Sequence, residues 1–144
     1  VFLSTGMATL NEIKLALAHL IKVKVCYIMH CVTQYPVQIE DVNLNTLLTL
    51  KSVFPGYKIG YSDHTIGTLA PIVAVAMGAQ VIEKHFTLDK TLTGTDHILS
   101  TTPQELREMI EKIRQTEVIL GRSSKKPTRT EKEIRDFVRS RFPK

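Results

Sequence analysis

The chain lacks any apolar run long enough to cross a bilayer. A helical span needs about 20 consecutive apolar residues. The longest stretch, residues 69–77, is nine residues long and carries Pro71. The opening residues, VFLSTGMATL, show neither a basic start nor a long apolar stretch, so no signal peptide is expected. Cysteine is scarce: Cys26 and Cys31 are the two present, five positions apart. On one strand an odd separation puts them on opposite faces, which argues against a bond between them. Two unpaired thiols suit a reducing compartment, and a cytoplasmic location is expected. Acidic residues thin out toward the C-terminal end. From position 121 to 144, nine Lys and Arg stand against three Asp and Glu, although the whole chain carries only +5. A basic run can be the footprint of nucleic-acid binding, but charge runs are usually solvated. This one is read as a connector, with neither nucleic acid nor membrane as a partner.

What remains is an ordinary globular composition, 43% apolar and 23% charged over 144 residues. The length favours one domain. Short β-rich runs at 1–4, 23–31, 58–62 and 80–87 alternate with helical patterns. Leu10, Ile13, Leu17 and Leu20 mark one face of a helix over 9–20, and Thr9 with Glu12 forms a capping box at its start. Leu44, Leu47 and Leu48 mark a second helix, stopped by Pro55 and Gly56. Residues 69–77 form an apolar helix expected to be buried all round. Residues 102–120 form the clearest helix, with Thr102 as cap, Pro103 at the first position, Glu105 closing the box and Gly121 past the end. Four βα units in regular alternation predict a parallel sheet with helices outside it. A doubly wound sheet and a (β/α)₈ barrel both fit, and a whole barrel runs to about 250 residues, so four units amount to half of one. Residues 1–122 are assigned to this α/β unit. Residues 123–144 are a basic linker with a short helix over 133–141.

Polar clusters stand where the strands end: STGM at 4–7, GYSDHT at 60–65 and EKHFT at 83–87. Parallel α/β folds carry their sites at the carboxyl ends of the strands. The unpaired amides of a helix start suit a phosphate there. Ser4 and Ser62 occupy two such junctions. His64 and His85 are 21 residues apart with one helix between them, a spacing that can set two imidazoles side by side as a partial shell for a divalent metal. Glu83, two positions before His85, shares its face and can orient a ligand or hold a water. The spacing lacks the tightness of a zinc finger or a helical metalloprotease motif, so two structural histidines fit it as well. Asp96 and His97 lie in TLTGTDHILS, which also reads as a polar turn. His19 reads as a surface residue and His30 as a buried, hydrogen-bonded one.

Five strings in order, STGM, HC-x-x-x-YP, GYSDHT, EKHFTLDK and GTDH-x-x-S, resemble the N-acetylneuraminate (sialic acid) synthase family over about residues 1–129. The resemblance implies the C-terminal half of a (β/α)₈ TIM barrel, its last four βα units. A small antifreeze-like domain would follow and reach into the partner's site within a homodimer. It implies condensation of phosphoenolpyruvate with N-acetylmannosamine or a related N-acetylated amino sugar, with release of phosphate. It also implies a divalent metal, Mn²⁺ first and Mg²⁺ or Co²⁺ as alternatives. On the matching positions, His64 and His85 would bind the metal. Ser4 and Ser62 would hold phosphoenolpyruvate, and Tyr35 and Asp96 would contact the sugar as the candidate catalytic residues. Thr33 stands where some members have Asn near phosphoenolpyruvate, a departure from the pattern. The family's first four units carry further lysines and a catalytic glutamate. Without that N-terminal half, this chain is expected to be inactive alone, to have open edges at its first and fourth strands, and to leave Leu3, Ile28 and Ile82 facing a missing wall. The alternatives are another phosphoenolpyruvate-dependent sugar-acid synthase, or a non-catalytic fragment that assembles with another chain.

Overall fold

A computed structural model of the chain describes residues 1–142. The elements run β1 (Phe2–Ser4), α1 (Leu10–Ala18), β2 (Tyr27–His30), a 3₁₀ turn (Ile39–Asp41), α2 (Thr46–Val53), β3 (Lys58–Asp63), α3 (Leu69–Ala76), β4 (Ile82–Lys84), α4 (Pro103–Leu120) and α5 (Arg129–Ser140). The strands form one sheet in the order β1-β2-β3-β4, every neighbouring pair parallel. This is the parallel α/β sheet expected from the alternation of units, in the half-barrel arrangement that the resemblance implies. The strands are shorter than the β-rich runs. β2 begins only at Tyr27 because the chain leaving α1 first closes a turn, with Val23 N–H donating to the Leu20 carbonyl.

Two capping boxes set the helix starts. Thr9 Oγ1 accepts from the Glu12 amide while Glu12 Oε2 accepts from the Thr9 amide at 2.7 Å. Thr102 and Glu105 do the same for α4, with Pro103 at its first position. Gly121, at φ +52°, follows the end of α4 in a conformation that L side chains rarely adopt. A third box, Thr128 with Glu131, starts α5 four residues ahead of the expected short helix. Every described residue from 121 to 142 is exposed. The last two positions of the basic run, 143 and 144, lie outside the described residues.

Register decides which side chains form the core. Leu3, Ile28 and Ile59 lie in one lateral row, and Tyr61 pairs with Ile82. This set faces the helices. Ile28, Ile59 and Tyr61 are buried with Ile13 and Leu17 of α1, Leu47 and Leu50 of α2 and Ala74 of α3, and Leu3 and Ile82 pack against them. Burying a side chain such as Ile28 or Leu50 contributes about 1.5–3 kcal/mol. The expectation that Leu3, Ile28 and Ile82 face a missing wall is therefore corrected: the pleat sends them to the helices. Side chains alternate along a strand, so the opposite face carries Phe2, Ser4, Tyr27, Met29, Gly60, Ser62 and Glu83. Gly60 belongs there because a Cβ would collide with Met29 Sδ.

The helix α3 is not buried all round. Pro71 and Ala74 are buried, whereas Leu69 and Val73 are exposed. It packs on α4 and on β3 and leaves its remaining side open. At the fourth strand the edge is partly closed. The chain returns after a loop so that Thr101 N–H donates to the His85 carbonyl at 2.8 Å and Thr87 N–H to the Thr101 carbonyl at 3.0 Å. Both cysteines are free and buried. Among the described residues no helix is long and apolar enough to cross a membrane.

Candidate active site

His64 is the first residue past β3 and His85 the first past β4. Their rings converge, with centroids 5.4 Å apart and planes at 72°. His64 is held on three sides. Its Nδ1 lies 2.7 Å from the Val32 carbonyl, which can only accept, so Nδ1 carries the proton and Nε2 keeps its lone pair. Its carbonyl accepts from Val37 N–H at 3.0 Å. Its ring lies under Tyr35, with centroids 4.2 Å apart at 28°. Tyr35 meets His85 edge-on at 5.8 Å. The Tyr35–Pro36 peptide bond is cis. Burial first, and then the neighbouring Cys31, Asp96 and Glu83, push the Tyr35 phenol up, so it is a neutral hydrogen-bond donor near pH 7.

Asp96 joins this group from the loop between β4 and α4. Its Oδ2 is 3.8 Å from His85 Nδ1, too far for a hydrogen bond but close enough to attract a protonated ring. The loop is tied at the last two residues of the GTDH string. Ser100 N–H and Oγ both donate to the Asp96 carbonyl, and His97 Nδ1 lies 2.8 Å from Thr87 Oγ1. Ser62 Oγ donates to Glu83 Oε1 at 2.6 Å across the β3–β4 pairing. Ser4 ends β1 opposite Met29 and is exposed. Thr33 sits against the STGM loop: a Cβ on Gly6 would come within 2.8 Å of Thr33 Oγ1. Thr33 also lines a cavity of about 470 Å³ with Thr5, Gly6, Thr9 and Cys31. The structure thus brings His64, His85, Tyr35 and Asp96 into direct contact. It joins Ser62 to Glu83 beside them, and keeps Ser4 and Thr33 at the ends of the first two strands. His30 is buried as expected, its Nε2 donating to the Val42 carbonyl at 2.9 Å. Burial holds it below the usual histidine range, opposed by that hydrogen bond.

Two residues of this region were not singled out from the sequence. Asp63 and Lys84 form an ion pair of 2.6 Å, with side-chain exposures of 0% and 2%. Their signal was present in the strings themselves, since each immediately precedes one of the two histidines and so points to the other face.

The donor set fits a divalent metal held by two imidazoles with its other positions open. His64 offers a free Nε2 of fixed tautomer, and a carbonyl partner on the far ring nitrogen is the usual support of a ligating histidine. Among the described residues no group of three or more His, Cys, Asp or Glu is arranged to hold a metal.

Comparison with known proteins places the chain. The NeuB family model matches residues 1–125. The N,N'-diacetyllegionaminic acid synthase of Legionella pneumophila is 44% identical over 146 residues, which cover 95% of this chain and 40% of that protein. The human N-acetylneuraminate-9-phosphate synthase is 38% identical over 125 residues, covering 85% of this chain and 34% of that protein. Among solved structures, the N-acetylneuraminic acid synthetase of Leptospira borgpetersenii in complex with citrate superposes with a TM-score of 0.87 at 39% identity, over 99% of this chain and 50% of that one. The chain spans well under half the length of these curated relatives. It belongs to the NeuB family.

Proposed function

We propose that this chain supplies one half of the barrel of a nonulosonic acid synthase, which condenses phosphoenolpyruvate with N-acetylmannosamine or a related amino sugar and releases phosphate. The observation that carries the reading is the convergence of His64, His85 and Tyr35 at the carboxyl ends of β3 and β4, in a chain of this family. In the reaction the methylene carbon of phosphoenolpyruvate bonds to the aldehyde carbon of the open-chain sugar. Water adds to the resulting cationic carbon, and phosphate leaves the tetrahedral intermediate. A divalent metal on His64 and His85, Mn²⁺ by preference, supplies Lewis-acid polarisation of a carbonyl when bound.

The chain's own side chains account for binding and orientation. Ser4 and Ser62 hold phosphoenolpyruvate together with backbone amides at the strand-to-helix junctions, the Ser62 hydroxyl turning from Glu83 to the substrate when it binds. Before the substrate binds, Glu83 accepts from the Ser62 hydroxyl at 2.6 Å and holds that side chain in place. Thr33, against Gly6, contacts the same substrate. Tyr35 and Asp96 flank the two imidazoles and position the sugar, and correct placement of reacting groups supplies several kcal/mol of barrier lowering. Residues 1–122 act as the barrel half and residues 123–144 as the link toward an antifreeze-like domain. The complementary N-terminal half and a homodimeric partner complete the enzyme.

The test is to co-express this chain with a polypeptide carrying the first four βα units of a family member, and to measure phosphate release from phosphoenolpyruvate and N-acetylmannosamine with Mn²⁺. Release is expected from the assembled pair only, and to cease on chelation. Release that survives chelation, or none from a well-assembled pair with any of the family's acceptor sugars, overturns the reading.

A further inference from the structure

Asp63 and Lys84 form the last rung of the β3–β4 pairing, and the two histidines are the next residues along each strand. Lys84 Nζ donates to Asp63 Oδ2 at 2.6 Å and to the Thr65 carbonyl at 2.7 Å. Asp63 Oδ1 accepts from Thr65 N–H at 3.0 Å, and Oδ2 accepts from Thr65 Oγ1 at 3.1 Å. Tyr61 Oη donates to Asp63 Oδ1 at 2.8 Å from the core side. The residues before and after His64 are therefore both tied to the residue before His85. A buried ion pair is a weak source of stability, because desolvation offsets most of the attraction, and well-packed apolar residues would serve as well.

Successive side chains point to opposite faces of a strand, so a shift of Asp63 or Lys84 moves the adjoining histidine on the other face. His64 has further restraints in the Val32 carbonyl and Tyr35, whereas His85 is restrained through its carbonyl, which accepts from Thr101. To the backbone ladder and the Ser62–Glu83 hydrogen bond, Lys84 adds a side-chain link from the His85 strand end to the turn that follows His64. We propose that the Asp63–Lys84 pair is a positioning device that sets the separation of His64 and His85 for a shared divalent cation. The inference rests on the reading of those histidines as a metal site.

The test measures Mn²⁺ affinity of the purified chain, from the electron paramagnetic resonance signal of the free ion, alongside the thermal midpoint. Lys84→Met should weaken binding by about tenfold or more, the range found for loss of groups that orient metal ligands. Thr65→Val keeps the shape but removes one tie to Asp63, and it should weaken binding in the same direction. Tyr61→Phe removes a hydrogen bond to the same carboxylate without touching the turn, and it should lower the midpoint with affinity unchanged. Where Lys84→Met fails to fold, Thr65→Val decides. Equal losses in all three variants, or unchanged affinity in Lys84→Met and Thr65→Val, overturn the positioning role alone. No binding by the unsubstituted chain overturns the metal site and the positioning role together.

Discussion

Ser62 Oγ donates to Glu83 Oε1 at 2.6 Å, joining the inward faces of two adjacent strands just below the paired imidazoles. The carboxylate accepts from the hydroxyl and holds the Ser62 side chain at the strand end, from where it can turn to donate to a bound phosphoenolpyruvate. In the assembled synthase Ser62→Ala should raise the KM for phosphoenolpyruvate about tenfold or more, since a hydrogen bond to a charged group contributes about 1.5–3 kcal/mol. Phosphate-release kinetics over a range of phosphoenolpyruvate concentrations give the answer. An unchanged KM removes Ser62 from the substrate site.

Tyr35 separates two roles that one substitution would confuse. Its ring stacks on His64 at 4.2 Å, and its phenol lies among Cys31, Asp96 and Glu83. Tyr35→Phe keeps the stack and should leave Mn²⁺ affinity unchanged while raising the KM for the amino sugar. Tyr35→Ala should weaken Mn²⁺ binding as well, by up to about tenfold, because such ring pairs contribute about 0.5–1.5 kcal/mol. Equal metal affinities in the two variants would contradict a preorganising role for the ring.

His30 predicts an acid limit to stability. Burial lowers its pKa in the folded chain below the ordinary value of 6.5. The unfolded chain therefore binds the proton more readily than the folded one. This contribution is fully present above pH 6.5 and is lost as pH falls through the lowered folded value. Urea unfolding between pH 7.5 and 5 should show declining stability, and His30→Gln should flatten that decline. An unchanged slope in the variant would assign the acid sensitivity elsewhere.

Open sheet edges predict association. Among the described residues β1 has a neighbour on one side, and Phe2 within it is 59% exposed, stacked on Tyr27 at 5.2 Å. Unpaired strand edges invite pairing with another chain. Light scattering on the purified chain should give a mass above that of the monomer, and co-expression with a complementary half barrel should replace that species by a defined complex. A well-folded, cooperative monomer would contradict this.

Local chemistry was the most legible part of the sequence. The boxes at Thr9 and Thr102 were readable because both partners lie within four residues. The order of the parallel strands followed from the alternation of units. Exposure was less legible: residues 69–77 are apolar throughout, and nothing in their composition tells that Leu69 and Val73 lie on an open side. The facing of the strands is ambiguous in the sequence for a related reason. Leu3, Ile28 and Ile82 suit either face, and only their packing on α1, α2 and α3 decides. The parity of Ser62 and His64 held the missing clue, since both lie on the face away from Ile59 and Tyr61. The histidine pair was found by spacing. The Asp63–Lys84 pair is less legible, because isolated charges read as solvated until a partner on the next strand is known.

The central claim is that His64 and His85 together hold a divalent cation. Titration of Mn²⁺ into the chain, followed by the resonance of the free ion, tests it most directly when run beside His64→Ala and His85→Ala. One saturable site in the unsubstituted chain, lost in both variants while their circular dichroism spectra stay the same, is the predicted result. Undiminished Mn²⁺ binding in either variant, or no saturable site in a folded unsubstituted chain, would contradict it.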